Sequence, residues 1–424
     1  MPTPCISRVS AREVLDCRGL PTVQVDVLVD DHHLGRADVP SGRSRGRHEA
    51  FELRDGGSRF GGFGVRSAVT HVRDVLGPAL IGTAVSPQRA LDQRLCALDG
   101  TPDKHRLGAN ALCGVSLAAA RAAAAAADLP LYRWLCADAH ILPVPQVNLI
   151  NGGRHAQGAL DFQEFIVMPV GATTFMEAMT IASEVNLALG DLIRSRHGAA
   201  ATNVGDEGGY APPLRDPRQG LELLHHAARA AGHADAVVYG LDCAATHLYD
   251  SATATYRVGD RSHTREQLLE LYQSLITDYN VASIEDPFHE DDFEAFAELT
   301  QSTTSQIVGD DLYATNVKRL REGIPQVAGN ALLWKVNQVG TLSEALDAAA
   351  MALRGGLSLV VSERSGETED PIIADLSVAL GAGQIKTGAP VRGERTAKYN
   401  RLLLIEEQLG SAALYAGASY RRPS

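Results

Sequence analysis

Six short apolar runs in the second half of the chain each stop at a charged residue, and their spacing limits the fold more than any other feature. Ala236–Gly240 leads to Asp242, and Val281–Ile284 to Glu285-Asp286-Pro287. Gln306–Val308 leads to Asp310-Asp311, and Leu332–Trp334 to Lys335. Leu359–Val361 leads to Glu363-Arg364-Ser365, and Gln384-Ile385 to Lys386. From Asp242 onward the steps between these charged residues are 43, 25, 25, 28 and 23 residues. Helix-patterned segments, Arg265–Tyr279, Asp291–Leu299, Leu342–Leu353 and Ile372–Leu380, fall between the runs. Strand and helix alternating at this period predict a parallel sheet. A charge at the end of nearly every strand predicts a TIM-type α/β barrel with its chemistry at the strands' C-terminal ends.

The 424 residues leave room for one further domain before the barrel. Thr22–Val29 alternates, with Val23, Val25, Val27 and Val29 on one face. Asp30–His33 reads as a hairpin turn, and a second strand runs toward Val39. Helical patterns cover Val65–Leu80, Pro87–Leu98 and Asn110–Ala127. We place the boundary near Ala137, giving an α+β domain over 1–137 and a barrel over 138–424. Two loops lack periodicity. Pro40–Glu49 carries Arg43, Arg45 and Arg47 and suits an anion-binding lid or a solvated basic loop. Asn151–Gly158 carries His155, a residue type that in such a loop is usually on the surface.

A net charge of −12 argues against nucleic-acid or anionic-membrane partners. The Ala-rich run Leu117–Ala127 is short and contains Arg121, so it is expected not to span a bilayer. Six scattered cysteines without a CxxC predict free thiols and a cytoplasmic location. Only five of the 39 basic residues are lysines, yet Lys335 and Lys386 both end predicted strands. Lysine can give up its proton where arginine cannot, so a lysine kept there is a candidate base.

Asp242, Glu285 and Asp310 at one end of a barrel would repel one another unless a cation neutralised them. Hard oxygen donors without Cys or His suit Mg²⁺. Glu164 and Glu207 supply a separate acidic side. Such a site can remove a proton beside a carboxylate and expel a leaving group.

The chain resembles the enolase family over nearly its whole length. The resemblance rests on blocks that include Arg12–Gly19, Glu52–Asp55, Asp161–Phe165, Gly205–Gly209, Ile284–Pro287, Gly309–Leu312, Lys335–Gln338, Arg364–Asp370 and Gly383–Gly388. It implies a modified (β/α)8 barrel whose first strands depart from strict alternation, two Mg²⁺ per site, and a homodimer or higher homo-oligomer. By position, Asp242, Glu285 and Asp310 would hold one Mg²⁺ and Ser44 would help hold the second. Lys335 would take the C2 proton of a glycerate, its pKa lowered by neighbouring cations. Lys386 would bind the substrate carboxylate. Glu207, supported by Glu164, would help hydroxide leave C3. Arg364 and Ser365 would hold the phosphoryl group, with Gln163 and His155 also against the substrate.

Two positions depart from the family pattern. Glu363 stands where the family has histidine, and a third carboxylate beside Glu164 and Glu207 must be protonated or meet a new cation. Arg43, Arg45 and Arg47 add positive charge around Ser44 and are the expected source of that cation. The arginines also suggest a head group with one more anion than phosphate, as in the carboxyphosphonoenolpyruvate synthase branch of phosphinothricin-type antibiotic biosynthesis. The alternatives are a glycolytic enolase acting on 2-phosphoglycerate and a catalytically inactive binding paralogue.

Overall fold

The computed structural model describes residues 3–43, 46–156 and 160–422. The chain opens with an antiparallel sheet of β1 (Ile6–Leu15), β2 (Pro21–Val29) and β3 (His33–Asp38). The four alternating valines of β2 are fully buried, as their period requires. Asp30 and Asp31 both take left-handed φ, 48° and 58°, which lets a tight turn join β2 to β3. Helix α1 (Gln88–Asp99) and helix α2 (Ala109–Ala126) follow.

Helix α2 lies against β2 and β3 so closely that a Cβ on Gly35 would stand 2.0 Å from the Ala118 carbonyl oxygen. Its alanines make that approach possible. Among the described residues α2, which contains the Ala-rich run, is long and apolar enough to cross a membrane, and 83% of it is buried inside the protein. All six cysteines are free thiols.

The remaining chain closes an eight-stranded barrel. Its strands are β4 (Val144–Asn151), β5 (Glu164–Met168), β6 (Val238–Asp242), β7 (Val281–Glu285), β8 (Gln306–Gly309), β9 (Ala331–Trp334), β10 (Ser358–Ser362) and β11 (Gln384–Lys386). Strand β5 runs antiparallel to both β4 and β6, whereas the other neighbours are parallel. Two helices, α3 (Phe175–His197) and α4 (Pro217–Ala230), separate β5 from β6. Helices α5 (Arg265–Tyr279), α6 (Phe293–Ser302), α7 (Val317–Gln326), α8 (Leu342–Arg354) and α9 (Ile372–Ala379) then alternate with the strands, and α10 (Gly393–Leu409) follows β11.

Alternation within the strands sorts their side chains. Val308, Ala331, Leu333 and Val360 form a small buried cluster of their own, apart from the large core formed by Ile307, Leu332, Leu359 and the helices. An amide network of Gln146, Gln306 and Gln384 joins the inner face, with nitrogen to oxygen distances of 2.8–3.0 Å. Two residues beyond Val308 and Leu333 come Asp310 and Lys335, so the inward register carries both toward the mouth. Reversal of β5 has a direct consequence. Glu164 is its first residue, and an antiparallel strand starts at the end where its parallel neighbours finish. Glu164 therefore pairs in register with Asp242, the last residue of β6.

Candidate active site

One cavity at this end of the barrel is lined by His155, Gln163, Glu164, Glu207, Asp242, Lys335, Glu363, Arg364, Ser365 and Lys386, together with Gly42 from the first lid. Lys386 stands at its acidic side. Its Nζ lies 3.0 Å from Asp242 Oδ2, 2.8 Å from Glu285 Oε2 and 3.1 Å from Glu164 Oε2. Burial disfavours the ammonium, but these carboxylates outweigh it and raise the lysine well above its ordinary range.

Lys335 stands beside Asp310. Its Nζ donates to Asp310 Oδ2 at 2.5 Å. Burial lowers its pKa, and Arg364 and Lys386 act the same way, yet Asp310 overcomes them and the group lies above the ordinary lysine range. The lowered pKa expected from sequence is tied to bound cations, which would offset the pull of Asp310. Asp310 also accepts from Gln338 Nε2 at 2.9 Å.

The carboxylates fall into tighter and looser groups. His155, Glu164 and Glu207 can bring ligand atoms within 4.8 Å of one another, as can Asp286, Asp310 and Asp311. The expected trio of Asp242, Glu285 and Asp310 does not gather so closely; Lys386 engages the first two and Lys335 the third. Asp286 is committed to the backbone, accepting from the N–H groups of Asp310 and Asp311 at 2.9 and 2.8 Å. Burial pushes Glu285 well above the carboxylate range, and Asp242 adds to the shift. Three buried carboxyl groups share one ammonium, and ionising all of them would need more positive charge than it supplies. The donors are hard oxygens on rigid strand ends, so these residues fit a hard divalent cation.

His155 is buried, contrary to the usual place of a loop histidine. Its Nδ1 lies 3.3 Å from Glu207 Oε1 and 3.4 Å from Glu164 Oε1, and neither contact is aligned as a hydrogen bond. Burial works against its charge, but the two glutamates lift its pKa to about 10. In return, burial alone would raise Glu207, yet His155, with Arg395 and Lys386 behind it, holds it well below the carboxylate range. Glu164 is pushed up to about 7 by burial and by Glu207. Asn148 Nδ2 donates to the other oxygen of Glu207 at 3.0 Å, and Gln163 Nε2 donates to Asp242 Oδ2 at 3.1 Å.

Arg364 is buried, and its guanidinium grips Glu49 from the first lid at 2.9 and 3.0 Å. Ser365 Oγ accepts the Arg43 N–H at 2.7 Å. The Arg43 side chain pairs with Asp206 at 2.7 Å. Arg47 pairs with Glu290 at 2.7 Å and with Asp291. Ser44 and Arg45 lie outside the described residues.

Neither of the two described lid arginines is the cation that meets Glu363. That cation is Arg395, from the first turn of α10, whose Nη1 donates to Glu363 Oε2. Both side chains are almost completely buried. The reason lies in register. Ser358, Val360 and Ser362 share the inward phase of β10, and Glu363 falls one residue out of it, toward the helix that follows β11. Arg395 was not anticipated, because nothing in Gly393-Glu394-Arg395 marks it as facing inward.

With this geometry in view, the comparisons with known proteins are decisive. Residues 6–135 match the family described as "Enolase, N-terminal domain" and residues 139–424 match "Enolase, C-terminal TIM barrel domain". The chain belongs to the enolase family. It is 54% identical over 419 residues to an enolase of Methanocaldococcus jannaschii, covering 99% of this chain and 98% of that protein. It is 53% identical over 423 residues to an enolase of Thermococcus gammatolerans, with 99% and 98% covered. It is also 53% identical over 419 residues to an enolase of Pyrococcus furiosus, with 98% and 97% covered. This enolase-family protein is accordingly a hydro-lyase.

Proposed function

We propose that this hydro-lyase removes water from 2-phosphoglycerate to give phosphoenolpyruvate in a Mg²⁺-dependent reaction. The observation that carries the proposal is the convergence of two lysines, Lys386 buried and Lys335 partly so, with a buried arginine and two separate acidic groups on one cavity. Lys335 takes the proton from C2 as the neutral amine, and its hydrogen bond to Asp310 holds Nζ at the cavity. Lys386 remains cationic and binds the substrate carboxylate. Arg364, with Ser365 beside it, takes the phosphoryl oxygens when Glu49 yields its fork of donors. Glu207, held as a carboxylate by His155, accepts a hydrogen bond from the C3 hydroxyl, and Glu164 supports it. Held by Asp242, Glu285 and Asp310, with Ser44 assigned to a second ion, Mg²⁺ would neutralise the charge that builds on the substrate carboxylate as C2 loses its proton. The full-length relatives carry the name enolase, which supports this substrate.

The carboxyphosphono head group loses ground for a physical reason. Arg43 and Arg47 already have carboxylate partners in Asp206, Glu290 and Asp291. A further anion would have to win either of these arginines from the partner that holds it. An ordinary phosphate monoester asks nothing of the lid arginines.

Incubation with 2-phosphoglycerate and Mg²⁺, followed by enol-ester absorbance, tests the reading. Turnover is expected, loss of it in excess chelator, and recovery when Mg²⁺ is restored. Lys335→Ala should abolish exchange of the C2 proton with solvent. Normal exchange in Lys335→Ala would remove that lysine as the base. A carboxyphosphono glycerate outcompeting 2-phosphoglycerate in kcat/KM would reverse the choice of head group.

A further inference from the structure

The two carboxyl oxygens of Glu363 are held very differently. Oε2 accepts from Arg395, and Arg395 is itself fixed by the carbonyl oxygens of Arg364 at 3.0 Å, Ser365 at 2.8 Å and Asp206 at 3.1 Å. Oε1 is buried and has no hydrogen-bond partner. Glu363 is only 2% exposed and lines the same cavity as Lys335, Glu207 and His155. Buried polar atoms are almost always satisfied, and an exception within a reaction cavity asks for a partner that arrives with the substrate.

The groups facing Glu363 decide what that oxygen offers. Burial drives the carboxyl well above its ordinary range, Arg395 opposes the shift, and Glu207 and Glu367 reinforce it. Glu367 has its own counter-ion in Lys398 at 2.9 Å. Tyr399 also faces this side, but its hydroxyl is spent on the Gly388 carbonyl oxygen at 2.6 Å. Glu207 is kept ionised by His155 and can only accept a hydrogen bond. With Oε2 accepting from Arg395, Oε1 is the oxygen left to carry a proton.

We propose that Glu363 is a catalytic acid, which donates a hydrogen bond and then a proton from Oε1 to the hydroxyl leaving C3. The proposal rests on the hydro-lyase reading above and divides its acidic side in two. Glu207 orients the hydroxyl as an acceptor, and Glu363 protonates it. The electron pair of the broken C2–H bond becomes the second bond between C2 and C3. The C3–O bond breaks with its pair on oxygen, and the Glu363 proton completes a water molecule. Glu363 is left as a carboxylate against Arg395. Lys335 gains one proton and Glu363 loses one, and solvent restores both.

Glu363→Gln tests this, because the amide keeps the shape and can still donate a hydrogen bond but cannot give up a proton. Dehydration should fall roughly 10²–10⁴-fold, mainly in kcat, while exchange of the C2 proton with deuterated solvent stays within a few-fold of wild type. Dehydration within a few-fold of wild type would overturn the proposal. So would equal losses of exchange and dehydration, which mark a residue that merely holds the site together. A second reading needs no turnover. The wild-type infrared spectrum at pH 7 should contain a carboxylic-acid carbonyl band that Glu363→Gln lacks. Absence of any such band from wild type would also defeat the proposal, even if the variant failed to fold. If wild type neither exchanges nor dehydrates 2-phosphoglycerate, the substrate assignment fails, and the infrared result still judges Glu363.

Discussion

His155 shows how much a single residue depends on its neighbours. Its pKa of about 10 lies above the ordinary 6.5, so the charged form is bound more tightly in the folded protein. A group raised in this way contributes stability that is fully present below pH 6.5 and is lost as pH rises through about 10. The gap in melting temperature between wild type and His155→Asn should therefore be widest near pH 6 and close toward pH 10. A constant gap across that range would mean that the ionic contacts to Glu207 and Glu164 do not hold the histidine charged. The sequence marked His155 only through family resemblance, since a histidine in a Gly-rich loop carries no signal of burial. Asp242, Glu285, Lys335 and Lys386 were legible for a different reason. Each ends an apolar run, and strand alternation then dictates which way it faces. Glu363 also ends an apolar run, but it falls out of the inward phase of its strand, and its partner carried no signal at all. Arg395 lies 32 residues away on a helix, and charge alone could not choose it over the nearer-seeming arginines of the lid.

At the scale of elements, most of the barrel was readable because its helices and strands alternate in period as well as in order. Helix Arg265–Tyr279 has the bounds its pattern implied, and Thr264 caps it with Gln267 in reciprocal hydrogen bonds. The parts that escaped have physical causes. Helix α7 contains Gly323 and Pro325, which break the pattern of a good helix former. The expected helix over Val65–Leu80 is interrupted by a wider turn at Val72–Leu76 before it resumes at Gly77. The closest packing lies between β3 and α2, where Gly35 meets backbone atoms of Ala118 and Ala122 that cannot swing aside. Gly35→Ala should lower stability by about 1–3 kcal/mol or more, seen as a reduced midpoint of denaturant unfolding. An unchanged midpoint would show that the sheet can lift from the helix at little cost.

At the scale of the molecule, the segment from Glu363 to Asp370 ties the N-terminal sheet and the first lid to the barrel mouth. Ser41 and Gly366 exchange backbone hydrogen bonds, each 2.9 Å long. Cys17 N–H donates to the Glu367 carbonyl oxygen at 2.9 Å, and Arg121 pairs with Asp370 at 2.6 Å. The same segment carries Glu363, Arg364 and Ser365, so the root of the lid and three residues of the cavity move together. Gly366 is the tightest point of this seam. A Cβ there would stand 2.1 Å from Arg18 Nη2 and 2.5 Å from the Ser41 carbonyl oxygen. Its φ lies outside the left-handed region, so space alone reserves the position for glycine. Arg18 could turn away, but the Ser41 backbone could not, and Arg43 N–H, two residues on, is bound to Ser365 Oγ. Gly366→Ala should therefore displace the lid from Arg364 and Ser365 while leaving the barrel folded. A shift of about 1 Å at a reacting site costs up to 10²-fold in rate. We expect kcat/KM for 2-phosphoglycerate to fall by one to two orders of magnitude, with the far-ultraviolet circular dichroism of wild type retained. Wild-type kcat/KM in the variant would show that the lid finds its place without the seam.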